Sequence, residues 1–391
     1  MQDLATPLIV LGLLFFVGLA ADRIGQRLRL PRVTLLLGFG LLVGHSGFDL
    51  LPTAITDLYP LVAIVALTAV ALLLGSSLSL DGLREHGRVV IIVSLSVVLL
   101  TQAVVTLGLW GFGLPLTMAL VLGALSTATD PAATYDVIDQ SGQDTGFTRR
   151  LKGLVAIDDA WGLLAFSLSM LALRMFGSAA GEEAPLLTAA YELGGSLALG
   201  LAIGWPGAAL IGRFSDGEPL RIEALGLIFL TAGLSLTLGL SYLIAGMTVG
   251  ATIVNHARHH SRAFHEVRSF EWPFLIIFFV LAGASLDTKA LVLGGGAGLA
   301  YALLRILGRV IGGWIGGTVA QAPRSERKLY GAAMLPQAGV AIGMALAASE
   351  QLPQFGDQIT ALAIGTTAGF ELIGPIATAY VLSRDGREKT G

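Results

Sequence analysis

Hydrophobic residues run along this chain in long unbroken blocks, not at helical or alternating intervals. Leu58 to Leu80 and Leu193 to Gly212 carry no charge at all. At about 1.5 Å per residue, each such block is long enough to cross a hydrocarbon core of roughly 30 Å. Only helices and closed barrels satisfy every backbone group without water, and the continuity of the runs excludes the alternating pattern of a barrel. The pattern therefore predicts an all-α polytopic membrane protein. Breaking the blocks at charges and at Gly/Pro turns gives about thirteen helices, over residues 6–26, 31–46, 58–79, 88–110, 114–140, 150–175, 186–212, 220–238, 239–257, 271–285, 289–319, 328–350 and 357–383. Val89 to Thr129 is uncharged for 41 residues, too long for one crossing, and Gly111-Phe-Gly-Leu-Pro115 supplies the turn that splits it.

Charge placement tests that count. If alternate loops are cytoplasmic from the first onward, 20 of the 24 basic residues fall on the cytoplasmic side. They run from Arg23, Arg27, Arg29 and Arg32 through Arg149, Arg150 and Lys152, and through Arg324, Arg327 and Lys328, to Arg384, Arg387 and Lys389. A miscount by one helix scrambles this asymmetry, so the expected topology is multi-pass, N-terminus outside and C-terminus cytoplasmic, in a prokaryotic plasma membrane. Leu8 to Ala21 is apolar like a signal peptide, but it is preceded by Asp3 and by no basic residue. It reads as a first spanning helix.

A weak internal repeat also emerges. Gly75-Ser-Ser-Leu-Ser-Leu-Asp81 closes the third helix and Gly283-Ala-Ser-Leu-Asp287 the tenth, an offset of about 206 residues that also carries Pro131 close to Pro336. An odd number of helices lies between the copies, so the second must be inverted in the membrane.

Composition narrows the chemistry. The chain is 54% hydrophobic and 13% charged, has 51 glycines, carries a net charge of −3 and contains no cysteine. Disulfides, thiol catalysis and cysteine metal sites are excluded, and nothing suggests a nucleic-acid partner. Lipid is the surrounding partner.

Six charges fall deep inside the membrane, away from the ends of the predicted spans: Asp130, Asp158, Asp159, Arg305, Arg309 and Glu371. Each costs at least ~2.5 to 3.5 kcal/mol at mid-bilayer and so calls for a function or a counter-charge. Asp158 and Asp159, in Leu154-Val-Ala-Ile-Asp-Asp-Ala-Trp-Gly162, point about 100° apart on a helix but can border one cavity. A buried carboxylate holds a proton more readily than one in water, and a bound cation displaces that proton, so such a site holds one or the other. Asp130 precedes Pro131, which cannot donate a helical hydrogen bond, so the helix is expected to open there. Freed carbonyls and the hydroxyls of Thr127 and Thr129 are hard oxygen ligands for a small cation. Leu335-Pro-Gln-Ala-Gly-Val340, with Pro336, Gln337 and Gly339, offers a matching break, and two facing broken helices suit a secondary transporter.

Arg305 and Arg309 share one helix face. Guanidinium stays protonated, so both serve as fixed counter-charges. Arg309, nearer the helix centre, is paired with Asp158, and Arg305 with Glu371 in a mainly structural pair. Asp130 and Asp159 remain for the transported Na⁺ and the proton. His256, His259, His260 and His265 cluster near one loop, as a pH sensor or as a solvated face.

These residues together resemble the monovalent cation/proton antiporter superfamily, through Ala156-Ile-Asp-Asp-Ala-Trp-Gly162, Leu307-Gly-Arg-Val-Ile-Gly-Gly313 and Leu335-Pro-Gln-Ala-Gly-Val340. The closest branch is the bacterial Na⁺/H⁺ antiporters with an Asp-Asp pair. The resemblance implies a homodimer built from a scaffold (dimerisation) domain, 1–57 and 186–257 with a linker helix at 220–238, and a core domain, 58–176 and 271–383, that moves like an elevator. It also implies that Asp159 binds the ion and that Asp158 partners the basic residue. Three features depart from the Asp-Asp branch. Thr129-Asp130-Pro131 is similar to the electroneutral branch, Ser76-Ser77 stands where many members have Glu, and Arg309 replaces lysine. Two aspartates permit two protons per cation, whereas an Asp158 locked to Arg309 leaves one.

Exchange of Na⁺ or Li⁺ for H⁺ is the expected function, with K⁺/H⁺ exchange and sodium-coupled symport of organic anions as alternatives. No enzyme activity and no cofactor are expected. Tyr135-Asp136 is superficially similar to an intramembrane aspartyl protease motif, but the second motif of such a protease is missing. A channel filter is also absent.

Overall fold

The computed structural model describes residues 2–28, 32–177, 185–210, 219–257, 260–284, 295–337 and 339–388. The second copy of the repeat motif at Ser285 to Asp287, together with Arg29, Arg213, Arg258, His259, Lys289 and Lys389, lies outside them. The chain is helical throughout its described length: α1 Gln2–Leu28, α2 Arg32–Val43, α3 Thr53–Thr56, α4 Tyr59–Ser76, α5 Leu80–Gly111, α6 Leu116–Leu125, α7 Pro131–Ser141, α8 Gly146–Gly177, α9 Pro185–Leu210, α10 Pro219–Thr237, α11 Tyr242–His256, α12 His260–Ala284, α13 Gly295–Val319, α14 Tyr330–Ala333, α15 Gly339–Gln351 and α16 Gly356–Glu388. Each of the thirteen predicted segments coincides with a helix or with a pair of half-helices. The additions are the single turn α3, the first eleven residues of α12, a 3-10 turn at Pro353–Phe355 and the start of α5, which is set off from the rest of that helix at Gly87, where φ is +73°.

Among the described residues, six stretches are long and apolar enough to cross a membrane: Thr53–Ser76, Gly87–Gly111, Gly146–Met175, Ala190–Leu210, Gly295–Val319 and Pro353–Arg384. The outer surface is apolar, with Phe16 71%, Leu187 71% and Ile376 70% exposed, whereas Asp158, Arg305 and Arg309 are fully buried. A protein that hides its charges and displays its leucines is built for lipid.

The helices form two compact units, residues 1–76 with 186–289 and residues 77–185 with 290–391. The resemblance places segments 58–79 and 271–285 in the core domain, whereas helices α4 and α12 pack with α2, α10 and α11 in the first unit. In that unit close approach is bought with small residues. Gly75 of α4 lies against the backbone of Met247 and Gly250 of α11 against that of Leu72, and neither position has space for a Cβ.

The second unit repeats itself. From Gly87 to Gly295 and from Pro131 to Gly339 is 208 residues in each case, so the two helix breaks correspond. Its spine is the antiparallel pair α5 and α13. A Cβ on Gly308 or Gly312 would lie 2.7 Å from the Cα of Thr101 or Val97, and one on Gly316 would lie 2.9 Å from that of Val93. Four-residue steps on both helices give one continuous ridge-and-groove contact. Without a hydrophobic drive in lipid, that contact holds the pair by packing.

Candidate functional site

Both helix breaks lie in the second unit. Helix α6 stops at Leu125, and the amides of Thr127 and Ala128 fold back to Ala124 and Leu125 in tight turns. Helix α7 then begins at Pro131 with Asp130 as its N-cap. The Ala133 amide donates to Asp130 Oδ1 at 3.0 Å, and the Thr134 amide to the Asp130 carbonyl at 3.1 Å. An acidic cap followed by proline at the first helical position is an ordinary helix start. The second break runs from Met334 to Gln337, beyond the single turn α14. Its Gln337, fully buried, donates to the Leu125 carbonyl at 3.1 Å and to the Tyr301 hydroxyl at 3.3 Å, so the two breaks touch. Pro336 is packed so closely on α16 that Gly374 could carry no side chain.

Arg305 and Arg309, one turn apart on α13, fill the space between the breaks. Arg305 donates to the carbonyls of Ser126 at 3.0 Å, Ala128 at 2.8 Å and Leu335 at 2.8 Å, and it lies 4.2 Å over the Phe370 ring. Arg309 donates to Asp158 Oδ2 at 2.7 Å, to Ala128 O at 2.9 Å and to Thr127 O. The carbonyls freed by the break, expected as cation ligands, are thus occupied by guanidinium. A guanidinium offers five donors in a fixed fork, which suits it to several carbonyls held at once.

The expected pair Arg309–Asp158 is therefore present, with both side chains fully buried. The expected pair Arg305–Glu371 is not. Arg305 directs all three nitrogens to main-chain carbonyls, which neutralise it by dipoles and by the face of Phe370. Glu371 is buried on α16 and has contacts of its own.

Asp159 is 2% exposed and is held on one side only. Its Oδ1 accepts from the Thr129 amide at 2.8 Å and from the Thr129 hydroxyl at 3.1 Å. Among the described residues its Oδ2 accepts no hydrogen bond. Thr127 turns away and donates its hydroxyl to Ala124 O at 2.7 Å, and Gly162 of α8 leaves space for it. The site thus combines a fully buried ion pair, in which Asp158 Oδ1 and Arg309 Nε have no partner, a second fixed cation on carbonyls, and a neighbouring carboxylate, Asp159, that among the described residues forms no ion pair. Such a carboxylate can take up a proton or a small hard cation, one in place of the other.

Of the histidine cluster, His256 is exposed, stacks on Trp205 at 4.8 Å between ring centroids and sets Nδ1 2.9 Å from Thr252 O. His259 lies outside the described residues, as do the side chains of His260 and His265.

Sequence reasoning missed Tyr301 and Phe370. Tyr301 stands four residues before Arg305 on the face shared with Arg309, a spacing that points to it. Phe370 carries no local signal.

The chain matches the family described as sodium/hydrogen exchanger, transmembrane, over residues 11–383. It is 26% identical over 157 residues to the Na(+)/H(+) antiporter NhaP of Pseudomonas aeruginosa, a stretch covering 40% of this chain and only 37% of that relative. The structure of the sodium proton antiporter MjNhaP1 from Methanocaldococcus jannaschii at pH 8 superposes with a TM-score of 0.71 at 21% identity, covering 98% of this chain and 96% of the other. An electron-microscopy map of MjNhaP1 gives a TM-score of 0.66, also at 21% identity, over 97% and 95%. These two likenesses are of fold, a fold shared over nearly the whole length. With a family match running from the first helix to the last, the chain belongs to the sodium/hydrogen exchanger family.

Proposed function

We propose that the protein exchanges a small monovalent cation, Na⁺ or Li⁺, for a proton across the membrane, the two competing for Asp159. The observation that carries this is the division of labour between neighbouring carboxylates. Asp158 is committed to the Arg309 guanidinium through Oδ2, its other oxygen fully buried without a partner, while Asp159, 2% exposed, accepts only from Thr129, through Oδ1, and pairs with no guanidinium among the described residues. Family membership and the named antiporters among its relatives support the same reading. Cation ligands in this scheme are Asp159, the Thr129 hydroxyl and, at the edge of the site, Asp130. Arg305, Arg309 and Glu371 are counter-charges or supports.

The second unit, which holds the complete site, is the transport body in an elevator-type cycle. The first unit is the scaffold of a homodimer, with the N-terminus outside and the C-terminus cytoplasmic. Arg309 cannot surrender its proton, so Asp158 stays ionised throughout and one proton exchanges for one cation. The decisive experiment is dissipation of an imposed proton gradient in proteoliposomes. Na⁺ or Li⁺ collapses it with wild type and not with Asp159→Asn. A wild-type protein that ignores Na⁺, Li⁺ and K⁺ between pH 6 and 9 would overturn antiport in favour of sodium-coupled substrate uptake.

A further inference from the structure

A second ion pair, its carboxylate buried and its guanidinium side chain 29% exposed, lies in the transport unit, away from the carboxylates of the site. Glu326, 3% exposed in the turn between α13 and α14, accepts from Arg150 of α8 through both oxygens, Nη2 to Oε1 at 2.5 Å and Nε to Oε2 at 3.1 Å. Tyr330, the first residue of α14, donates its hydroxyl to Glu326 Oε2 at 2.6 Å and accepts from Arg150 Nε at 3.1 Å. Both Glu326 oxygens are thus engaged, and Tyr330 belongs to an apolar cluster with Phe147, Leu151, Leu154, Val381 and Leu382. Apolar residues of similar volume would fill this place without desolvating the Glu326 carboxylate and part of Arg150, so stability alone is a poor reason for the pair. Setting a register is the better-attested use of a buried polar group.

The connections run directly to the site. Arg150 precedes Asp158 by eight residues on α8, roughly 12 Å along the helix axis. Gly331, next to Tyr330, packs on the backbone of Arg309 with no space for a Cβ, and Gly313, one turn beyond Arg309 on α13, also meets the Gly331 backbone. Tyr135 of α7 donates to the carbonyl of Lys152 at 3.1 Å, which ties the first broken helix to the same turn of α8. Apolar contacts alone let helices slide by a fraction of a turn, whereas a two-bond Arg–Glu fork does not.

We propose that Arg150, Glu326 and Tyr330 form a positioning clamp that sets the axial register of α8 against α13 and α14, and so holds Asp159 at Thr129. The proposal rests on Asp159 being the exchanging carboxylate. The test compares wild type, Arg150→Ala, Glu326→Gln, Tyr330→Phe and the charge swap Arg150→Glu with Glu326→Arg, all as full chains. Apparent KM for Na⁺, maximal rate and pH profile are measured in proteoliposomes, and hydrogen exchange of residues 154–162 in detergent. The clamp requires Glu326→Gln and Arg150→Ala to raise KM about tenfold and shift the pH profile, with a smaller rise for Tyr330→Phe. It also requires loss of amide protection around Asp158, and recovery of both in the swap. Wild-type KM, pH profile and protection at 154–162 in Glu326→Gln and Tyr330→Phe, with only a lower unfolding temperature, would overturn it. Those two variants keep their shape and decide the matter if Arg150→Ala fails to fold. A wild type that moves no cation sinks the proposed function instead, and the exchange measurement then decides the clamp alone.

Discussion

The chemistry of the site comes down to which atoms of two adjacent aspartates are already engaged. Asp158→Asn leaves a buried guanidinium without its carboxylate, a loss of about 3–5 kcal/mol. The expected outcome is a large drop in unfolding temperature and in the yield of folded protein. Arg309→Lys keeps the charge but loses hydrogen bonds to the carbonyls of Thr127 and Ala128. Lysine can also release its proton, so this variant is expected to gain voltage dependence of exchange that wild type lacks. In the proposed exchange, protons and Na⁺ exclude one another at Asp159. Apparent KM for Na⁺ is therefore expected to rise as pH falls while the rate at saturating Na⁺ holds, which initial rates at several pH values check. The Asp158–Arg309 pair was legible in the sequence because charges in lipid need partners and these two sit near the middle of their helices. Arg305 was not, because a main-chain carbonyl leaves no mark in a sequence.

The helices themselves were easy to read and their grouping was not. Pro131 and Pro336 marked both breaks, since a missing N–H is a local property. The apolar runs at 58–79 and 271–285 look like any other span, and only side-chain packing assigns α4 and α12 to the first unit. Asp130 shows local grammar underused. Its place before Pro131 already described a capped helix start, and the structure shows that cap. A cation drawn to Asp130 must compete with the Ala133 amide. Saturating Na⁺ is thus expected to speed hydrogen exchange at Ala133 and Thr134 if Asp130 joins the cation, and to leave them unchanged if Asp159 and Thr129 act without it. On the spine, Gly312→Leu forces a side chain into the backbone of Val97, an overpacking cost of about 1–3 kcal/mol. A lower unfolding temperature with loss of exchange is the expected result.

At the scale of the whole molecule, the buried guanidinium groups of the second unit are met by Asp158 and by main-chain carbonyls, and the proposed exchange then moves a single charge at Asp159. Initial exchange rates are expected not to change when a potassium diffusion potential of either sign is imposed with an ionophore. A rate that follows the potential would mean that Asp158 also releases its proton. The partners of the central ion pair are 151 residues apart in the chain. At about 5–20 residues per second, synthesis runs for roughly 8–30 s between the aspartate and its arginine. During that interval the nascent first half holds acidic side chains in a helix bound for lipid with nothing to neutralise them. A ribosome-arrested chain ending before Gly295 should therefore be a ready substrate for membrane quality control, and release of a few dozen further residues, enough to deliver α13, should rescue it.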